Sequence, residues 1–151
     1  MALEALLAYA HLLAILTLVV FMASEAALCR PEWMNAKVVE RLARVDTIYG
    51  VAAGVVLLTG VSRTIWGFKG AGWYWGNGLL HLKLTMFVVV ALISIKPTLT
   101  FRKWKRDLSA TGALPAEDDI RKTRKLIMVQ AHIIALIPLV AVFIARGFGG
   151  K

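Results

Sequence analysis

Four long stretches of the chain have almost no polar positions. Residues 5–24, 47–62 and 126–145 contain no charged side chain, and residues 78–95 contain one, Lys83. A helix crosses the hydrocarbon core of a bilayer with roughly 20 apolar residues. The pattern predicts four spans, over residues 5–28, 47–66, 78–98 and 126–146, within a single transmembrane domain covering residues 1–151. Short connections make consecutive spans antiparallel. The expected fold class is an all-α integral membrane protein, an antiparallel four-transmembrane-helix bundle with helical cytoplasmic extensions.

The polar positions between the spans show where helices stop and start. Arg30-Pro31 ends the first span, because proline cannot continue a helix and restricts the residue before it. Asn35 can cap the helix leading into the second span, and Glu40 and Arg44 can pair along it. Residues 67–77 form an aromatic, glycine-rich loop suited to the headgroup level, with Phe68, Trp73, Tyr74 and Trp75. Lys96-Pro97 ends the third span, or kinks it if helix continues through Phe101 and Trp104. Residues 109–114 read as a turn. Pro115, followed by Glu117, Asp118 and Asp119 and then by Arg121, Lys122, Arg124 and Lys125, reads as a helix whose charges match its dipole. That helix is expected to run into the fourth span, which ends at Arg146-Gly147.

Charge gives the bundle a direction. The sequence is 59% hydrophobic, with a formal net charge of +9. Thirteen of its 18 Lys and Arg fall between spans one and two or between spans three and four: Arg30, Lys37, Arg41, Arg44, Lys96, Arg102, Lys103, Lys105, Arg106, Arg121, Lys122, Arg124 and Lys125. The other side has Arg63, Lys69, Arg146 and Lys151, with Lys83 inside span three. The excess of positive charge on one side places both basic segments in the cytoplasm and both termini outside. The expected location is the inner (cytoplasmic) membrane. Anionic headgroups account for the basic charge, so no nucleic-acid partner is expected. Met1 to Glu4 lack a positive n-region, and the first apolar stretch is too long for a signal peptide, so it reads as a retained span. Cys29 is alone, which excludes an internal disulfide, and it reads as a small packing residue.

Ionisable groups inside spans are costly and mark candidate sites. His11 lies roughly 9 Å in from the outer side, at 1.5 Å per residue. His81 is near the outer end of span three. His132 is six residues into span four from the other side, so the three cannot share one site. Two histidines at one depth can ligate a b-type haem, making His11 and His81 candidate axial ligands. Arg63, Lys69 and Lys83 are candidates to hold its propionates. The simpler alternative for each histidine is a buried ring bonded to a carbonyl or carboxylate. Lys83 can instead snorkel to the headgroups, and Arg63 can be an interface anchor. His11, Leu18, Met22, Glu25 and Cys29 share one helical stripe, read as inward-facing. Glu25 is expected to pair with Arg44 or Lys96, and Asp46 with Arg44 unless it serves the helix dipole. Lys83 stands about 200° from His81 around an ideal helix, so either the helix starts irregularly after Gly76-Asn77-Gly78 or only one of them faces the interior. Gly50 and Gly54 form a GxxxG, with Gly60 beyond, which permits close helix contact within the chain or in a homodimer.

Three segments carry a family resemblance: residues 44–63 (RVDTIYGVAAGVVLLTGVSR), 83–104 (KLTMFVVVALISIKPTLTFRKW) and 136–149 (LIPLVAVFIARGFG). They resemble a bacterial predicted-membrane-protein family of unknown function, and the likeness covers nearly the whole chain. That family is similar, more distantly, to CopD-like four-helix proteins and to HemJ, the bacterial protoporphyrinogen oxidase. His11, Arg30-Pro31 and His81-Leu82-Lys83-Leu84 match the HemJ layout in kind. The resemblance implies b-type haem, with His11 in the place of the first-span histidine and Lys83 in that of the essential, catalytic lysine. Arg30-Pro31 reverses the HemJ order, and Pro97-Thr98 and the ARGFG of residues 145–149 belong to the family of unknown function.

Four functions compete on these residues. The first is a membrane b-type cytochrome or haem-dependent oxidoreductase with a redox partner. The second is a non-catalytic dimeric membrane or interaction protein. The third is a HemJ-like oxidase using Lys83. The fourth, transport, lacks the inverted repeats and broken midplane helices that usually mark it.

Overall fold

In the computed structural model, residues 2–150 are described; Lys151, one of the charges assigned above to the outer side, lies outside them. Among the described residues the chain folds into helices α1 (Ala2–Leu28), α2 (Ala36–Ile65), α3 (Ala71–Trp75), α4 (Gly78–Thr111) and α5 (Glu117–Ala145), with a single 3-10 turn at Pro31–Trp33 and no strand. Of these, α1, α2, α4 and α5 are long and apolar enough to cross a membrane. The shortest has 27 residues and the longest 34. At 1.5 Å per residue they measure roughly 40–50 Å, longer than the hydrocarbon core, so each extends beyond it.

Local chemistry sets the helix bounds. Asn35 caps α2, its Oδ1 accepting from Val38 N at 3.0 Å. Asn77 caps α4 in the same way through Leu79 N at 2.9 Å. Pro97 does not end α4. It is buried inside the helix, which continues to Gly112, a left-handed cap at φ 72°. Glycine is required there because a side chain disfavours that conformation. The loop over residues 67–77 is partly ordered into α3. Glu40 and Arg44 form no ion pair among the described residues. The i,i+4 pairs that do form are Lys103–Asp107, Arg121–Glu117 and Lys122–Asp118.

The four long helices form a ring. α1 packs along α2 and α4 along α5, α2 faces α4, and α1 touches α5. Consecutive spans run antiparallel, so one end of the bundle holds both chain termini and the other holds the basic segments. The tightest packing is toward the basic end, where Met22, Leu42, Phe101, Trp104, Ile120 and Ile127 form a core. The rings of Phe101 and Trp104 meet edge to face at 5.6 Å. Cys29 is fully buried there, its thiol directed at the Ile120 carbonyl.

The terminal end is tied together by polar contacts. Lys69 Nζ donates to the carbonyls of Ile144 and Ala145, at 3.3 and 3.4 Å, and lies over the Trp73 ring. Asn77 Nδ2 donates to the Phe148 carbonyl at 3.0 Å. The glycines of the ARGFG run permit this closure: a Cβ on Gly149 would sit 2.7 Å from Asn77 Oδ1.

Candidate functional site

The helices part toward the terminal end, leaving a cavity of about 510 Å³ between all four long helices and Trp75. Small-molecule and cofactor sites fall in the range of roughly 300–1,000 Å³. Its walls are mostly aliphatic: Leu12 and Ile15 from α1, Val56 and Leu57 from α2, Leu84 from α4, and Ile137 from α5. Three ionisable side chains interrupt them, His11 from α1, Arg63 from α2 and Lys83 from α4. Among the described residues no acidic side chain lines the cavity, and neither Arg63 nor Lys83 forms an ion pair.

His11 is buried and held from α2. Its Nδ1 lies 2.8 Å from Thr59 Oγ1. The Thr59 hydroxyl has a single proton, and its shortest contact, 2.6 Å, is to the Val55 carbonyl. Threonine therefore donates to its own helix and accepts from the imidazole. That assigns the ring proton to Nδ1 and leaves Nε2 with the free lone pair. Gly60, one residue on, makes room for the ring: a Cβ there would sit 3.1 Å from His11 Cε1. An imidazole with one nitrogen fixed by a hydrogen bond and the other free is the arrangement used for ligation to iron or for accepting a proton.

The structure separates the other expected site residues. α4 is helical from Gly78, so His81 and Lys83 do face different ways. Lys83 is half-buried at the cavity. His81 is exposed, outside the cavity lining, with Nε2 2.9 Å from the Trp75 carbonyl. The expected His11/His81 pair is not assembled, because the helical offset that admits Lys83 turns His81 away. Lys69 also lies outside the cavity lining, since its ammonium caps the C-terminal carbonyls of α5. His132 is exposed on α5, its Nδ1 2.6 Å from the Met128 carbonyl.

The carboxylates also differ from expectation. Glu25 forms no ion pair with Arg44 or Lys96; it is 2% exposed, and its Oε1 has no partner. Asp46 Oδ1 accepts from Thr98 Oγ1 at 2.8 Å instead of meeting Arg44. Gly50 and Gly54 are exposed, with nothing within 4 Å of an added Cβ, and Gly50 also borders a smaller cavity between α1, α2, α4 and α5.

Neither Thr59, which holds His11, nor Gln130, an amide buried in α5, was evident from the sequence. A depth match on antiparallel helices would have placed Thr59 opposite His11, and an amide in a span is itself unusual. No curated protein and no solved structure matches the chain. A family model described as a predicted membrane protein (DUF2214) matches residues 3–149, and the chain therefore belongs to that family.

Proposed function

We propose that the protein binds a b-type haem in the cavity at the terminal end of the bundle and serves a membrane redox reaction with an electron-transfer partner. The observation that carries this reading is the convergence of His11, Arg63 and Lys83 on one apolar cavity with no acidic counter-charge. A haem offers a broad apolar face, an iron that takes imidazole nitrogen, and two carboxylates. The cavity offers aliphatic walls, the free His11 Nε2, and two cations. Haem there supplies one-electron chemistry at iron. In this reading His11, oriented by Thr59, would hold the iron, and Arg63 and Lys83 would hold the propionates. His81 and Lys69 stay with the carbonyls they already meet.

The same reading places the protein in the bacterial inner membrane with its basic end in the cytoplasm. The uneven Lys and Arg distribution supports that orientation. The exposed, small-residue spacing of Gly50 and Gly54 supports a homodimer through α2.

The test is the visible spectrum of protein purified from a haem-sufficient host. A Soret band that shifts on reduction, and is lost or displaced in His11→Ala, is expected. A colourless, haem-free preparation would sink the proposal.

A second reading is favoured by one observation, the half-buried Lys83 without an ion pair at the cavity. In it the protein oxidises a protoporphyrinogen as HemJ does, with Lys83 as the catalytic amine. It predicts rescue of a strain lacking that oxidase and loss of rescue in Lys83→Ala. Failure to rescue at good expression eliminates it.

A further inference from the structure

Toward the basic end, each long helix contributes to a second polar group that the large cavity does not use. The members are Glu25 of α1, Asp46 and Tyr49 of α2, Thr98 of α4 and Gln130 of α5. Glu25, Asp46, Tyr49 and Gln130 are each at most 4% exposed. Thr98 Oγ1 donates to Asp46, and the Tyr49 hydroxyl donates to Gln130 Oε1 at 3.3 Å. Glu25 is within electrostatic reach of Asp46, and Tyr49 is within reach of both.

Two atoms of this group have no hydrogen-bond partner: Glu25 Oε1 and Gln130 Nε2. One needs a donor and the other an acceptor. Buried polar atoms are rarely left so, and buried water is the usual partner for such atoms. A second cavity, of about 140 Å³ and lined in part by Tyr49, Ser94 and Thr98, adjoins the group. It shares Leu18, Phe87 and Ile134 with the larger cavity, so a single layer of side chains separates the two.

The surrounding charges decide what the site binds. On α1 the other titratable neighbour is Cys29, directed at the Ile120 carbonyl. On α4, Arg102 is exposed and acts on Asp46 from a distance. On α5, Arg124 donates to the Ala26 carbonyl. No cation pairs with Glu25 among the described residues. A buried carboxylate without a counter-charge is costly, and a proton on it removes that cost. The described residues group no three His, Cys, Asp or Glu side chains that could hold a metal ion, which favours a proton over a metal.

We propose that Glu25, Asp46, Tyr49, Thr98 and Gln130 form an intramembrane proton-binding site. One proton delivered by water forms an O–H bond on Glu25 while Asp46 remains the carboxylate held by Thr98. The released proton returns to that water. The site stands independently of what the larger cavity holds.

The test is dicyclohexylcarbodiimide labelling of the wild-type protein in membranes. The O–H of a protonated carboxyl adds across one C=N bond, and the acyl group then migrates to nitrogen to give an N-acylurea. An adduct on Glu25 is expected at neutral pH, falling about tenfold per pH unit above the titration midpoint. The infrared spectrum supplies a second readout. A protonated-carboxyl C=O stretch that shifts in D2O is expected in wild type and in Glu32→Gln, and is lost in Glu25→Gln. Adducts confined to exposed acids such as Glu32 and Glu117, or a band that survives Glu25→Gln, overturn the proposal. Wild-type labelling decides the matter even if Glu25→Gln does not fold.

Discussion

His11 on α1 and Thr59 on α2 meet at 2.8 Å across the helix pair, the imidazole Nδ1 against the hydroxyl oxygen. The hydroxyl proton is already committed to the Val55 carbonyl, so the contact fixes the ring tautomer as well as its position. Removing the hydroxyl tests this directly. Thr59→Val keeps the side-chain shape and deletes the acceptor. Loss of such a supporting contact costs about 10- to 100-fold in affinity at ligating histidines. Haem titration of the apo-protein is expected to show a loss of that order, with the helical circular dichroism unchanged. Equal affinities in the two proteins would remove Thr59 from the site.

Gly60 makes a separate prediction, steric instead of electronic. A methyl group at Gly60 comes within 3.1 Å of His11 Cε1, and the ring must give way toward the cavity. Overpacking of this kind costs about 1–3 kcal/mol. Gly60→Ala is expected to lower the melting temperature and displace the Soret band. A Gly54→Ala control, with open space around the new methyl, is expected to do neither. Spectra identical to wild type in Gly60→Ala would show that the ring is free to move.

Lys69 distinguishes fold maintenance from cofactor binding. Its ammonium caps the carbonyls of Ile144 and Ala145 and lies 4.1 Å from the Trp73 ring centroid. A cation at a helix C-terminus contributes about 0.3–1 kcal/mol at an exposed position. Lys69→Met is expected to lower stability by that order and leave haem content unchanged, as read by a thermal melt and a pyridine haemochrome assay. Reduced haem content at unchanged stability would return Lys69 to the cofactor site.

The four helices were legible because hydrocarbon imposes a length and a composition that few other environments demand. Pro97 was harder to read. Proline removes one helix hydrogen bond, and only the packing around it shows whether the helix survives, as it does here with Phe101 and Trp104 buried beyond. The 200° offset between His81 and Lys83 was visible in the sequence, but not which of them faces inward. That depends on the rotation of α4 against α2 and α5, a tertiary property. Glu25 and Asp46 looked like partners for nearby arginines because acids near helix ends usually find them. The α1 stripe with Glu25 does face inward as read, and Asp46 of α2 is buried too; there Thr98 reaches Asp46, and among the described residues no cation pairs with Glu25. Gln130 carries no charge, so nothing in the charge pattern marks it.

The core at the basic end predicts where stability resides. Phe101 is fully buried and packs edge to face on Trp104. Truncating a buried phenylalanine to alanine costs about 3–5 kcal/mol. Phe101→Ala is expected to destabilise the protein by that order in a denaturation series. The exposed neighbour substitution Leu99→Ala is expected to change little. Comparable losses at both positions would mean that lipid contact, not this core, dominates.

Gly54 separates the stability of one chain from association between two. Gly54 is exposed and a Cβ there meets nothing within 4 Å, so alanine fits the monomer without a clash. Alanine there also removes the helix penalty of glycine, about 1 kcal/mol in an interior position. If two copies pack α2 against α2, however, that same space is where the partner's backbone approaches, and an added side chain holds the helices apart. The two effects have opposite signs. Gly54→Ala is therefore expected to preserve monomer stability and weaken the dimer, read as loss of cross-linked species in membranes and a smaller particle in detergent. Cross-linking unchanged in Gly54→Ala would move any dimer interface away from α2.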